Sequence, residues 1–208
     1  MTLMQKLDLV EYLLREKHLP GRHNQQRHAG SRGSGVDIPG VKPELQQLAK
    51  IAEQFDSFDE FERQWQRGLH GQFWHLTSDP NFEIDPTQVP TEASSLALGS
   101  SPEPGLMVTE DVGLWSDALN PETGERTRNY AAEIDLSDLE FGAEYEITTR
   151  GFGHEIFVFA PEKAKVKRVV PLDDAERINN DFFDYVLPQS RAELQELYGK
   201  AHATPRSW

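Results

Sequence analysis

The stretch NYAAEIDLSDLEFGAEYEITTRGFGHEIFVFAPEKAKVKRVV, residues 129–170, decides the predicted fold. It contains four runs rich in β-branched and aromatic residues, which is the composition typical of strands. Short turn segments, such as LEFGAE at 139–144, separate the runs. Connections this short can join antiparallel strands, whereas parallel neighbours need a crossover of about a dozen residues or more. The predicted strands are residues 129–136, 145–150, 155–160 and 165–170.

Two further strand-like runs and four helical segments flank this block. The runs are FWHLT at 73–77 and LMVT at 106–109, and the five prolines of residues 78–104 predict an irregular loop between them. Ser57 followed by Glu60 is the capping-box pattern that starts a helix. The order of helices, strands and helices predicts an α+β fold with a mainly antiparallel sheet flanked by helices. The predicted helices cover residues 43–55, 58–67, 173–186 and 190–201.

Residues 1–41 are predicted to form an N-terminal arm ahead of a single folded domain at 42–208. Residues 3–17 have helical periodicity, but residues 19–40 are rich in Gly and polar side chains. This composition cannot bury enough apolar surface to offset its ordering entropy, so we expect a flexible linker. Three histidines recur at five-residue spacing, and neutral imidazoles could bind a divalent metal weakly. We prefer the interpretation that they are solvated linker residues and do not form a specific metal site. They are His18, His23 and His28.

The charge and composition of the chain exclude several classes of function. The net charge is −14, although residues 1–40 carry six Lys and Arg against four Asp and Glu. Nonspecific nucleic-acid binding depends on a cationic surface that releases counterions, and this acidic chain lacks the charge for it. If the chain acts on a macromolecule, a protein is therefore favoured over a nucleic acid. The absence of Cys excludes disulfides, thiolate zinc sites and a Cys nucleophile. No apolar run reaches the ~18 residues of a membrane span, so we expect no membrane partner. A chain without Cys fits a reducing compartment, and we expect a cytoplasmic location.

Three blocks of sequence combine strand-like residues with a polar side chain that could do chemistry. They are FWHLT at 73–77, GLMVTED at 105–111 and GHEIFVFAPEKAKVKRVVPL at 153–172. The common nucleotide and hydrolase signatures, such as GxxxxGK[ST], GxGxxG, HExxH and GxSxG, are absent. The blocks resemble, in order, three strands of the poly-ADP-ribose-polymerase branch of the ADP-ribosyltransferases. Those strands read His-Gly-Thr, Gly-Ile-Tyr-Phe-Ala-Asp and Asn-Glu-Tyr-Ile-Val-Tyr, and the resemblance covers residues 70–172.

The resemblance implies a split antiparallel sheet of the ADP-ribosyltransferase type that holds NAD in a cleft. In this family the strand His and a hydroxyl residue two positions later bind the nicotinamide-side ribose and neighbouring groups. These two residues correspond to His75 and Thr77. In the family a Tyr a short way after the second strand stacks on the nicotinamide ring. The same distance after that strand here leads to Leu114 or Trp115, and of the two only Trp115 can stack on nicotinamide. The family's catalytic carboxylate, which stabilises the oxocarbenium-like transition state, corresponds to Glu155. The predicted catalytic residues are Glu155 and His75, and the predicted NAD-binding residues are His75, Thr77, Gly105, Trp115 and Arg150, with Arg150 on the pyrophosphate.

Each of these side chains also has an ordinary structural explanation. A His within an apolar run is often a core residue, a Trp often packs, and an acid that opens a strand often faces water. The arm segment GRHNQQRHAGSRGSG, residues 21–35, resembles linkers of bacteriophage head-morphogenesis proteins, which implies a phage or prophage origin. Three functions therefore stay open. The first is transfer of ADP-ribose from NAD to an unidentified target, and the second is a non-catalytic protein of this fold or a phage head-associated structural protein. The third is a nucleic-acid-directed enzyme, which would need a local basic groove despite the net charge of −14.

Overall fold

A computed structural model describes residues 37–87, 105–116, 123–124, 126–147 and 155–203. These residues belong to one compact unit, Ser31–Trp208. The helix predicted at 3–17 and the three arm histidines lie outside the described residues. Ile38, which the sequence assigns to the arm, is 4% exposed in the core, and its N–H donates to Gln46 Oε1 at 2.7 Å. The folded domain therefore includes Ile38.

The described residues form a six-stranded sheet in which all neighbouring strands are antiparallel. The strands are β1 Phe73–Thr77, β2 Leu106–Thr109, β3 Tyr130–Asp135, β4 Tyr145–Ile147, β5 Glu155–Val158 and β6 Lys165–Pro171. Their order across the sheet is β4-β5-β2-β1-β3-β6. This arrangement confirms the predicted α+β class and antiparallel sheet. The order itself, with β2 between β1 and β5, comes from long-range pairing.

Helices flank the sheet close to where capping and periodicity predict them. They are α1 Gln46–Ala52, α2 Phe58–Gln66, α3 Val112–Ser116, α4 Leu172–Asp181 and α5 Arg191–Ala203. Ser57 caps α2 by accepting a hydrogen bond from the Glu60 N–H at 3.3 Å. The helix predicted at 43–55 is shorter than expected, because it begins as a 3-10 turn, Pro43–Leu45, and its α-helical part ends at Ala52. After Asp181, α4 continues as a π-helical segment, Phe182–Val186.

An apolar core lies on each face of the sheet, because side chains alternate along each strand. On β1, Phe73 belongs to the larger core together with Leu48 of α1 and Phe61 of α2, and we call this side the large-core face. Trp74 belongs to the smaller core together with Leu172 of α4, and we call this side the small-core face. Phe73 and Trp74 are both fully buried. Each large apolar side chain buried in this way contributes about 1.5–3 kcal/mol to stability.

The sheet is open between β1 and β2. Strand β1 pairs with β3 at five positions, but in the described strands it pairs with β2 at one, Trp74 with Thr109. Beyond this closing pair, His75–Thr77 of β1 and Gly105–Val108 of β2 have no registered partners in each other. We call this gap the β1–β2 opening. The opening interrupts the pairing of β1 with β2, whereas the pairing of β1 with β3 is continuous.

Candidate functional site

The imidazole of His75 lies in the β1–β2 opening and bridges its two strands. Its Nδ1 is 2.8 Å from the backbone oxygen of Met107 on β2. Because a carbonyl oxygen only accepts, Nδ1 donates the proton and Nε2 is left as the acceptor of a neutral ring. The ring also stacks on Phe82, with centroids 4.5 Å apart and planes inclined by 26°. The side chain therefore replaces a backbone hydrogen bond that continuous strand pairing would have supplied.

Burial keeps the His75 ring neutral. It lowers the pKa of His75 from its usual value, and the positive charge of Arg128 lowers it further. The hydrogen bond with Met107 raises this pKa but does not cancel the effect of burial. At neutral pH the ring thus presents one fixed donor, already used, and one acceptor, Nε2, which suits it to bind a hydroxyl group.

Thr77 ends β1 two residues after His75, so both side chains project to the large-core face. Its Oγ1 accepts a hydrogen bond from the Asp79 N–H at 3.1 Å, which turns the chain out of the strand. The Thr77 hydroxyl can still donate its own proton, because a hydroxyl is both donor and acceptor. His75 and Thr77 therefore lie on the same side of the opening.

Glu155 opens β5 and is 6% exposed. It is paired with Thr109, which is in turn paired with Trp74, and directly paired antiparallel residues project to the same face. Glu155 therefore lies on the small-core face, beside the closing pair of the β1–β2 opening. The structure does not place it on the same face as His75, so a ligand that touches both side chains must occupy the opening itself.

Gly105, at the start of β2, has a packing explanation. A Cβ at this position would lie 2.3–2.9 Å from three ring atoms of Phe157 on β5. The absence of a side chain thus makes room for the Phe157 ring, and a role in ligand binding is not needed to explain the glycine. Trp115 belongs to α3, directly after β2, but its side chain lies outside the described part of the chain, as does Arg150.

Sequence reasoning missed a buried polar anchor at the closed end of the opening. Glu110 follows β2 and is completely buried. Its carboxylate accepts hydrogen bonds from the backbone N–H groups of His70 at 2.7 Å and Gly71 at 2.5 Å, just before β1. Asn179 of α4 donates to the Glu110 backbone oxygen at 3.0 Å and accepts from the Val112 N–H at the same distance. These contacts fix the end of β2 against the segment that enters β1.

The anchor left no recognisable signal in the sequence. Glu110 reads as an ordinary turn acid in the run TED, and Asn179 lies near the end of a helix 69 residues away. Part of the anchor is made by the backbone N–H groups of His70 and Gly71, which carry no side-chain identity to recognise. The side chains that also contribute, His70 and Gln72, lie far along the sequence from Glu110 and Asn179. The contact becomes visible only when the fold brings the two segments together.

Glu133 is the other buried acid of the sheet, and its surroundings give it a structural role. It lies on β3, and its carboxylate accepts from Lys167 Nζ at 2.6 Å and from Arg168 Nε at 2.7 Å. Lys167 is the extra residue of a β-bulge, because Glu133 pairs with Arg168 whereas Ile134 pairs with Val166. The bulge allows two consecutive cations to reach one carboxylate.

A cavity of about 470 Å³ lies next to the Glu133 cluster and away from the β1–β2 opening. Glu133, Lys167, Arg168 and the π-helical residues Phe182 and Val186 are among the residues that line it. None of the predicted site residues lies in its wall. Among the described residues there is no group of three or more His, Asp or Glu side chains that could hold a metal ion, and no helix is long and apolar enough to cross a membrane.

Comparisons with known proteins identify no relative. The sequence matches no protein-family model, no curated protein matches it, and no solved structure matches its fold.

Proposed function

We propose that this chain transfers ADP-ribose from NAD to a macromolecular acceptor and releases nicotinamide. The observation that carries the proposal is the β1–β2 opening, which holds the neutral imidazole of His75 and has the buried acid Glu155 beside its closing pair. A sheet that served only as a scaffold would gain from complete pairing here. A gap that exposes strand edges next to a buried acid is instead a place where a ligand can be held.

The reaction would break the bond between the nicotinamide nitrogen and C1′ of the adjacent ribose. The bonding electron pair leaves with nicotinamide, which becomes neutral, while positive charge develops on the ribose. A nucleophile of the acceptor then forms a bond to C1′ and loses its proton to solvent. A fixed carboxylate beside the ribose stabilises the developing charge, and it does so more strongly where water is excluded, as at Glu155.

His75 and Thr77 would orient the substrate. The Nε2 atom of His75 can accept a hydrogen bond from a ribose hydroxyl, because Nδ1 already donates to Met107. The Thr77 hydroxyl, on the same side, can donate to a neighbouring oxygen. Trp115, which follows β2 within α3, is the proposed stacking partner of nicotinamide. Since Glu155 lies on the other face, the proposal requires NAD to lie between β1 and β2.

The deciding experiment measures nicotinamide release from NAD by the wild type and by two matched variants. Glu155→Gln keeps the size of the side chain and removes its charge, so the rate is expected to fall by about 10²–10³-fold while NAD affinity changes little. Glu146→Gln makes the same change at an exposed position of the neighbouring strand β4 and is expected to keep full activity. Full activity of a folded Glu155→Gln protein would refute the assigned role.

Glu133→Gln is the informative third variant, because Glu133 is also a buried acid within the sheet. Its two cationic partners predict a loss of stability without a specific loss of turnover. If nicotinamide release depended on Glu133 and not on Glu155, the catalytic carboxylate would lie on β3. The assignment of the closing block of the sequence would then be wrong.

A non-catalytic protein with the same fold is the second candidate. The separation of His75 and Glu155 on opposite faces of the sheet and the packing role of Gly105 favour it. The two candidates differ in the response to NAD. An NAD-binding enzyme gains about 2.7 kcal/mol of stability at a ligand concentration 100 times the Kd, so its melting temperature rises with NAD. A structural protein shows no shift and releases no nicotinamide.

A further inference from the structure

Arg128 lies at the open end of the β1–β2 opening. The next residue, Asn129, donates its N–H to the Thr77 oxygen at 3.2 Å, and Tyr130 is paired with Thr77. The guanidinium is close enough to His75 for its charge to lower the pKa of that ring. Arg128 therefore lies near His75 and beside the end of β1, where Thr77 lies.

Arg128 also lacks an acidic partner among the described residues, and this separates it from the cations around it. Arg126 pairs with Asp173 at 2.6 Å, and Arg168 pairs with Glu133 at 2.7 Å. Arg63 has no recorded acceptor either, but it is exposed to water, whereas Arg128 is half-buried. Partial desolvation lowers the pKa of Arg128, which shows that the fold disfavours its charge at this place. A half-buried guanidinium without a counter-charge is costly unless an anion from outside compensates it.

The overall charge of the protein makes a local cation necessary for an anionic substrate. The chain carries a net charge of −14, so a dinucleotide with two phosphate charges is repelled at long range. The neutral His75 ring offers no attraction to phosphate. An arginine at the mouth of the opening supplies it, since a guanidinium binds two phosphate oxygens through parallel hydrogen bonds.

We propose that Arg128 binds the diphosphate of a nucleotide at the open end of the β1–β2 opening. The identity of the ligand rests on the proposed function, whereas the anion site itself rests on the position and missing partner of Arg128. A pyrophosphate contact is also predicted for Arg150, which lies outside the described residues. The proposed role of Arg128 is in binding and not in catalysis, because it contacts the diphosphate, whereas Glu155 acts at C1′ of the ribose.

The test is calorimetric titration of the full-length protein with ADP-ribose and with inorganic pyrophosphate. The variants are Arg128→Gln, Arg128→Lys and the matched control Arg126→Gln, which removes an exposed arginine two residues away. We expect Arg128→Gln to weaken ADP-ribose binding by at least about tenfold and to lessen its dependence on salt. Arg126→Gln should bind like the wild type. Arg128→Lys should fall between them, because an ammonium group cannot form the paired contact.

Two outcomes overturn the inference: ADP-ribose binds Arg128→Gln as tightly as the wild type, or neither probe binds the wild type. If Arg128→Gln does not fold, wild-type affinity in a folded Arg128→Lys protein counts against the paired contact. The proposed function is judged separately, by nicotinamide release. If Arg128→Gln still releases nicotinamide and binds ADP-ribose like the wild type, the proposed transferase activity is supported and the diphosphate site at Arg128 is refuted. If ADP-ribose binding depends on Arg128 but the wild type releases no nicotinamide, the diphosphate site is supported and the proposed transferase activity is refuted.

Discussion

Replacement of Glu110 tests whether the buried anchor holds the closed end of the β1–β2 opening. The side chain is completely buried, and its carboxylate accepts the backbone N–H groups of His70 and Gly71 at 2.7 and 2.5 Å. A hydrogen bond to a charged group contributes about 1.5–3 kcal/mol, against about 0.5–1.5 kcal/mol for a neutral pair. Glu110→Gln keeps the shape and loses the charge. Over two bonds the expected cost is therefore about 2 kcal/mol.

Glu110→Ala is the more severe change, because it leaves both N–H groups without an acceptor. Each buried unsatisfied donor costs about 1–3 kcal/mol, so the expected loss is about 2–6 kcal/mol before any cavity effect. For a domain of this size, 1 kcal/mol corresponds to roughly 2–4 °C in melting temperature. Glu110→Gln should then lower the melting temperature by roughly 4–8 °C, and Glu110→Ala by more.

The assay is urea denaturation together with thermal melting, followed by circular dichroism. Glu146→Gln is the control, since it makes the same acid-to-amide change at an exposed position of β4 and should shift stability by less than about 0.5 kcal/mol. If Glu110→Gln and Glu110→Ala both melted within about 1 °C of the wild type, the hydrogen bonds to His70 and Gly71 would not stabilise the fold. The closed end of the opening would then be held by the Asn179 hydrogen bonds, the Trp74–Thr109 pair and apolar packing.

Two further changes test the opening itself. Burial lowers the pKa of His75, so the unfolded chain, in which this pKa is near 6.5, binds a proton more readily than the folded protein. The stability that the neutral ring contributes is therefore fully present above about pH 6.5 and is lost as the pH falls. His75→Gln should remove that part of the acid sensitivity, and an unchanged profile of urea midpoint against pH would contradict the assignment. Gly105→Ala should destabilise by about 1–3 kcal/mol through collision with Phe157, and the double variant with Phe157→Leu should recover stability in the same melting assay. No recovery in the double variant would mean that the glycine serves something other than ring packing.

The strands could be predicted from the sequence because their pattern is local. The run 129–136 contains β3, Tyr130–Asp135, and the run 165–170 lies within β6, Lys165–Pro171. Turn residues bound both runs, so the chain has few alternatives there. Helix ends were less predictable. After Ala52 the last turn tightens, with the Phe55 N–H bonded to the Ala52 oxygen at 3.2 Å, and no residue type announces that change.

The candidate site was predictable in part, for a different physical reason. His75 and Thr77 lie two apart on one strand, so their common side follows from the period of two. The position of Glu155 relative to them depends on the register of β5 against β2 and of β2 against β1. A shift of one residue in either pairing would move Glu155 to the other face. Register is a long-range property, which the short sequence blocks do not specify.

The β1–β2 opening shows how a sheet can keep a gap without losing its fold. Each backbone hydrogen bond missing between the strands forgoes about 0.5–1.5 kcal/mol, and the Met107 oxygen would be left unsatisfied. His75 Nδ1 supplies that oxygen with a donor, so part of the cost is offset within the gap. Glu110 and Asn179 fix the closed end through buried contacts to the backbone, which keeps the strands from separating further. A gap fixed in this way differs from a frayed edge, because the hydrogen bonds of His75, Glu110 and Asn179 hold its two strands in place.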